Sequence, residues 1–297
     1  MDWKEKAIVL KQVGYSGRNI AKILGLGKST VNSFFQKTEK EKYTVPEGVK
    51  ILLLDVETAP LSGAIWSIWQ QGVSLNQIQN DWFILSYSAS WLGSGEVMYE
   101  DLRGIVDKED DTKLLQSLWS LLDEADIVVA HNGRKFDCKK INARLILNGF
   151  SKPSPYRIVD TLELVKKEFA FTSAKLEYLT DKLCSEKKQK HDKYPGYTLW
   201  AECLKDNLDA WKCMEEYNKA DVTSLEELYH VLSSWCALPN YDVYLDDVDM
   251  SDWEETGYCY TNLAKYQVYR HKVTGQQKRG RVNLLTKEKR ASLLANI

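Results

Sequence analysis

Asp55 and Glu57 stand two residues apart at the end of the apolar run Ile51-Leu52-Leu53-Leu54, and there two side chains can do joint chemistry. Side chains alternate across a strand, so a strand here turns both carboxylates into one space and returns Val56 to the core. Carboxylates that close repel one another unless protons or cations intervene, and divalent cations are the usual answer where the other participant is a phosphate. The same spacing recurs at Asp107/Glu109 and Asp252/Glu254, so spacing alone does not single out the first pair. Context does. Asp107 and Glu109 sit in a polar run that reads as a solvated turn, and Asp252 and Glu254 lie in an acidic stretch with no strand before them.

Two other stretches offer partners for that pair. Ile127-Val128-Val129-Ala130 reads as a second buried strand, running into His131-Asn132-Gly133-Arg134-Lys135-Phe136-Asp137, where a turn opens a helix. Asp137 falls in the first helical turn, a place that suits a carboxylate on dipole grounds alone, and His131 and Asn132 read equally well as turn stabilisers. Further on, Tyr217 and Asp221 are four residues apart in a helix that begins near Trp211, so both reach the same point. Tyr156 and Asp160 share that spacing, but Pro153 and Pro155 make their segment extended or turned, which leaves Asp160 as a reserve carboxylate.

The elements that must position these residues form a mixed α/β pattern. A chain of 297 residues with 44% hydrophobic and 11% aromatic content can build one substantial core with small appendages. Strands are expected at Lys50–Leu54, around Trp82–Trp91 and Glu96–Leu102, and at Ile127–Ala130. Helices are expected at Thr112–Ala125, Asp137–Asn148, Thr161–Glu168, Leu176–Leu183, Tyr197–Asp206 and Trp211–Trp235. A few early strands followed by strands alternating with helices argues a mixed sheet flanked by helices. Trp66, Trp69, Trp82 and Trp91 are assigned mostly to core packing.

The formal charge of -2 conceals segregation: Tyr241–Thr256 holds seven acidic residues and no Lys or Arg, whereas Asn262–Ile297 holds nine Lys or Arg and one Glu. A near-neutral total therefore leaves nucleic acid open as a partner. Six cysteines occur without a Cys-x-x-Cys pair, as expected of reduced thiols. No apolar N-terminal segment reads as a signal peptide or membrane span, so the expectation is a cytoplasmic protein.

The first 40 residues read as short helices, with Ser16–Leu24, the turn Gly25-Leu26-Gly27 and a third segment over Lys28–Lys37. This string resembles helix-turn-helix domains of the resolvase and sigma-region type, with Ala21 small at the helix crossing and Gly25 in the left-handed turn. The resemblance implies that the third segment enters the major groove and that Lys28, Ser29, Thr30 and Asn32 touch DNA.

The larger resemblance rests on three ordered motifs: Asp55-x-Glu57, then Asn132 with Phe136-Asp137, then Tyr217-x-x-x-Asp221. Together they resemble the 3′-to-5′ exonucleases of the four-carboxylate, tyrosine subtype (DEDDy), which have the ribonuclease H-like fold and include proofreading domains of DNA polymerases. Leu54-Asp55-Val56-Glu57-Thr58-Ala59-Pro60 and Glu216-Tyr217-Asn218-Lys219-Ala220-Asp221-Val222 look most like phage and bacterial ribonuclease H-like proteins. The resemblance covers about Lys50–Trp235. It implies two divalent ions, Mg²⁺ or Mn²⁺, with Asp55 bridging both, Glu57 and Asp221 holding the water-activating ion, and Asp137 supporting the site. It further implies that Tyr217 orients the attacking water, that Thr58, Asn132 and Phe136 bind substrate, and that the substrate is a single-stranded 3′ end.

The expected organisation is a helix-turn-helix domain (1–40), a linker (41–49), the exonuclease domain (50–238), an acidic connector (239–256) and a basic ribbon-like tail (257–297). Similar proteins often end in a cysteine-rich zinc ribbon, but Cys259 lacks paired ligands, so the tail is expected without zinc. Its basic and aromatic residues suit either nucleic-acid contacts or a solvated tail. DNA is the preferred substrate because of the N-terminal module, and RNA stays open. Two rivals remain at this stage: a transposase- or integrase-like nuclease, and a non-catalytic DNA-binding regulator on a nuclease-fold scaffold.

Overall fold

The computed structural model describes residues 2–12, 17–27, 30, 31, 34, 48–67, 69, 72–185, 193–245 and 249–294. The chain divides into a compact unit over Gly48–Leu245 and a second unit made of residues 1–47 and 246–297.

The larger unit is built on a five-stranded sheet in the order β5-β4-β1-β6-β7. Its strands are β1 (Ile51–Thr58), β4 (Ile84–Trp91), β5 (Met98–Asp101), β6 (Ile127–Ala130) and β7 (Arg157–Asp160). The β1 run Ile51–Leu54 and all of β6 are buried, as strands covered on both faces must be. β1 pairs antiparallel with β4 along nearly its whole length but parallel with β6 only from Ile51↔Ile127 to Leu53↔Val129. Past Leu53, β1 is paired on one side only, and its last residues, Asp55 and Glu57 among them, line the opening so created.

Helices α3 (Thr112–Glu124), α4 (Asp137–Leu147), α5 (Thr161–Glu168), α6 (Leu176–Leu183), α7 (Thr198–Leu204) and α8 (Leu208–Ser233) flank this sheet. α8 starts three residues before the expected Trp211 because Asn207 caps it, accepting from the N–H groups of Asp209 and Ala210. Trp211, Met214, Tyr217, Asn218, Asp221, Val222, Leu225 and Leu228 form its buried stripe at helical spacing, which lays α8 against β1 and β4. A second apolar cluster of Val165, Leu176, Leu179, Leu228 and Leu232 ties α5 and α6 to the C-terminal half of α8. The strand containing both carboxylates is longer than the expected Lys50–Leu54, and β7 was not anticipated as a strand. Its four residues follow Pro153 and Pro155, and it forms because β6 offers a parallel edge, from Ile127↔Arg157 to Ala130↔Asp160.

Between β1 and β4 the chain makes an arm stemmed by β2 (Ser62–Gly63) and β3 (Ile78–Asn80). It overturns the core assignment for two tryptophans: Trp66 is 93% and Trp69 80% exposed, while Trp82 and Trp91 are half-buried.

In the smaller unit, α1 (Trp3–Gln12) and α2 (Gly17–Leu24) share a core of Ala7, Ile20, Ala21 and Val31, with Trp3 edge-on to Phe34. Gly25 adopts φ +65 after α2, as a turn between helices requires. Thr30 is helical and exposed, whereas Lys28, Ser29 and Asn32 lie outside the described residues. The C-terminal segment forms an antiparallel sheet of β8 (Trp253–Thr261), β9 (Ala264–His271) and β10 (Gln277–Arg279), followed by the short helix α9 (Lys287–Ala291). β8 begins inside the stretch read as an acidic connector. Ala264 is the buried apolar residue of this sheet, and cations lie over its aromatic faces: Lys265 over Tyr258 at 3.6 Å, Arg279 over Tyr266 at 4.2 Å and Lys278 over Trp253 at 4.6 Å. No described helix is long and apolar enough to cross a membrane.

Candidate active site

The opening at the end of β1 is a cleft of about 550 Å³ whose lining includes Asp55, Val56, Glu57, Asp137, Tyr217 and Asp221. Oxygen atoms of Asp55, Glu57 and Asp221 lie within 4.8 Å of one another. The two β1 carboxylates share a face because Val56 between them turns inward and is buried, and α8 delivers Asp221 one helical turn beyond Tyr217.

Asp137 arrives from the other side of the opening. β6 ends at Ala130, and the chain turns through Asn132, which adopts φ 74. Gly133 follows where a Cβ would meet that of Ala130 at 2.4 Å, so only glycine lets the turn close. Asp137 then opens α4 and its Oδ1 accepts the Val56 N–H at 3.0 Å, a donor left over where β1 has lost β6 as a partner. Burial pushes the Asp137 carboxyl up to about 7, against the opposing pull of that hydrogen bond.

Several residues that hold this set in place escaped the sequence reading. Asn218, fully buried in α8, donates from Nδ2 to Asp55 Oδ2 at 2.5 Å, and its Oδ1 accepts from Ser86 Oγ at 3.3 Å. Trp200 donates from Nε1 to Glu57 Oε2 at 3.2 Å and meets the Tyr217 ring edge-on at 6.3 Å. Asp160 is no ligand in reserve. It is buried and accepts the N–H groups of Asn132, Arg134, Leu162 and Glu163, so it caps α5 and braces the turn that leads to Asp137. The signal for that role was its position one residue before Thr161, where an N-cap belongs.

Burial, then the carboxylates of Asp221, Glu57 and Asp55, push the Tyr217 phenol well above its ordinary value, so it remains a neutral hydroxyl. The donor set is all oxygen and mostly anionic, a fit for a hard divalent cation such as Mg²⁺ or Mn²⁺ rather than for a thiolate- or imidazole-bound metal. Asn132 and Phe136 also line the cleft, whereas Thr58 closes β1 beyond a register shift and is outside the lining. His131 lines it too, with its ring nitrogens held by Thr161 Oγ1 and the Ala174 carbonyl, both at 2.9 Å. The lining also includes Lys166 and Lys175, both exposed, which sequence reasoning had not singled out.

The sequence matches the model of the RNase_H superfamily over residues 52–233. No curated protein matches it. Among solved structures the chain is similar to the family B DNA polymerase from the hyperthermophilic archaeon Pyrobaculum calidifontis, with 14% identity and a TM-score of 0.42 over 68% of this chain. The chain spans 28% of that polymerase's length.

Proposed function

The chain belongs to the RNase_H superfamily, and on that premise we propose that it is a metal-dependent 3′-to-5′ exonuclease, taking DNA by preference. The observation that carries the proposal is the convergence of Asp55, Glu57 and Asp221 within 4.8 Å, on a cleft shared with Tyr217 and Asp137. Asp55, Glu57 and Asp221 would hold two Mg²⁺ or Mn²⁺ ions, with Asp137 alongside. When bound, such ions stabilise both the attacking and the leaving oxygen of an in-line phosphoryl displacement and make water a better nucleophile.

The chain's own groups do the rest. The neutral Tyr217 hydroxyl orients the attacking water without adding negative charge to a site that already has several carboxylates. Asn218 and Trp200 fix Asp55 and Glu57, so that the carboxylates do not have to be ordered at each turnover. Asn132 and Phe136, which line the cleft, would hold the terminal nucleotide. Lys166 and Lys175 of the cleft lining suit phosphate contacts. The N-terminal module, through Lys28, Ser29, Thr30 and Asn32, would bring the enzyme to duplex DNA.

The test is digestion of 5′-labelled single-stranded and duplex DNA and RNA in Mg²⁺ or Mn²⁺, beside Asp55→Ala. Stepwise shortening from the 3′ end that the variant loses is the expected result. Absence of shortening on every substrate would sink the proposal.

A further inference from the structure

Trp66 and Trp69 are the largest exposed aromatic surface in the Gly48–Leu245 unit, at 93% and 80%. Their exposure is a built feature. Beneath them Ser62 Oγ bonds Asn80 Oδ1 at 2.7 Å, the Ala64 N–H bonds the Gln77 carbonyl at 2.9 Å, and Gln77 Nε2 returns to the Ala64 carbonyl at 2.9 Å. Gly63 fits between the strands of the stem only because it lacks a Cβ, which would stand 2.8 Å from the Gln77 oxygen. From Ala59 to Phe83 the arm has a single charged residue, Asp81.

The arm begins at the cleft. Its first residue follows Thr58, directly after Glu57, and its last leads into Ile84, which pairs with Thr58. At its root, Lys140 Nζ lies 3.6 Å over the Trp82 ring and 5.7 Å over that of Phe136, a residue of the cleft lining. Lys135 and Lys139 are exposed beside Phe136 at the start of α4. Aromatic rings interleaved with lysines therefore run from the cleft to the arm. The lysines match a phosphate backbone and the uncharged rings match base faces, the combination by which single strands are held without sequence preference.

We propose that Trp66 and Trp69 stack the bases of a single-stranded nucleic acid whose end occupies the cleft, the strand passing over Phe136, Lys140 and Trp82. The proposal rests on the exonuclease reading for the direction of the strand, but its test is binding and not digestion. Full-length Asp55→Asn protein, with and without W66A/W69A, is titrated with 5′-fluorescein strands of about three and about twelve nucleotides, and with a long strand of abasic residues. The expected result is that the double variant binds the long strand at least tenfold more weakly, the equivalent of about one stacked base. The short and abasic strands should be unaffected, since the one does not reach the arm and the other has nothing to stack. Equal affinity for the long strand in both proteins overturns the proposal. So does sedimentation showing that the tryptophan substitutions convert a dimer to a monomer with strand affinity unchanged, because the arm would then join two copies of the chain. If the expected binding pattern holds while the wild type digests nothing, the stacking surface stands and the exonuclease reading falls.

Discussion

Asp55→Asn should make the protein more stable than the wild type without metal and should largely abolish the stabilisation that a divalent metal gives the wild type. Oxygens of Asp55, Glu57 and Asp221 lie within 4.8 Å of one another. At that separation two unit charges repel by about 3.5 kcal/mol at an effective dielectric constant near 20, and by about 1 kcal/mol in water. Asp55 and Glu57 are half-exposed and Asp221 is buried, so the first pair falls toward the lower figure. Asparagine keeps an oxygen for the Asn218 amide, but exchanging a charged acceptor for a neutral one forfeits about 1 kcal/mol. Relief of two repulsions less that loss gives a gain of roughly 1–4 kcal/mol in EDTA. At about 2–4 °C per kcal/mol for a unit of this size, Tm rises by several degrees. A divalent ion at about a hundred times its Kd would add roughly 2.7 kcal/mol to the wild type, a gain that the variant, short of one carboxylate, should lose. The assay is thermal unfolding followed by circular dichroism near pH 8, above the value of about 7 to which burial pushes Asp137, in EDTA and in saturating Mg²⁺ or Mn²⁺. A variant less stable than the wild type in EDTA, or one with an undiminished metal-induced shift, would refute a shared cation site.

Tyr217→Phe should lower the digestion rate about a hundredfold while Tm and strand affinity stay near wild type, because the ring keeps its packing and only the hydroxyl is lost; a rate within threefold of wild type would remove Tyr217 from the mechanism. Gly133→Ala forces a Cβ to 2.4 Å from that of Ala130, so unfolding should show a loss of about 1–3 kcal/mol together with a fall in activity; wild-type stability would mean that the turn can relax. Asp160→Ala strips the acceptor from four backbone N–H groups and should cost roughly 3–5 kcal/mol, with Asp160→Asn milder; a stable, active alanine variant would contradict the bracing role. Deleting residues 1–40 should weaken duplex binding in a gel-shift assay and spare digestion of short single strands, and equal loss of both would count against a separate DNA-binding module.

How much of the site was legible depends on how far apart in sequence its parts lie. The strand with Asp55 and Glu57 announced itself locally, through an apolar run with a two-residue alternation, and the Tyr217/Asp221 pair through helical spacing. Asn218 and Trp200 could not be found that way. Each acts on a carboxylate of β1, 163 and 143 residues away, and neither belongs to a local pattern that marks it. Trp66 and Trp69 were misread for a thermodynamic reason: indole rings gain by burial, so packing is the default until a structure shows nothing over them. β7 was missed because its four residues become a strand only through the edge of β6.

Three of the donors that orient the carboxylates have a property in common. The Val56 N–H on Asp137, the Asn218 amide on Asp55 and the Trp200 indole on Glu57 are all uncharged. An arginine or lysine in any of these places would fix a carboxylate as firmly, but it would cancel the charge that attracts a cation and compete for its position. A neutral hydrogen bond sets direction and leaves the charge in place. Repulsion among the carboxylates is thus kept within a rigid frame, and a divalent cation would relieve it on binding. The same arrangement explains why the positioning groups come from a backbone amide, an asparagine and a tryptophan, residue types that a search for catalytic chemistry passes over.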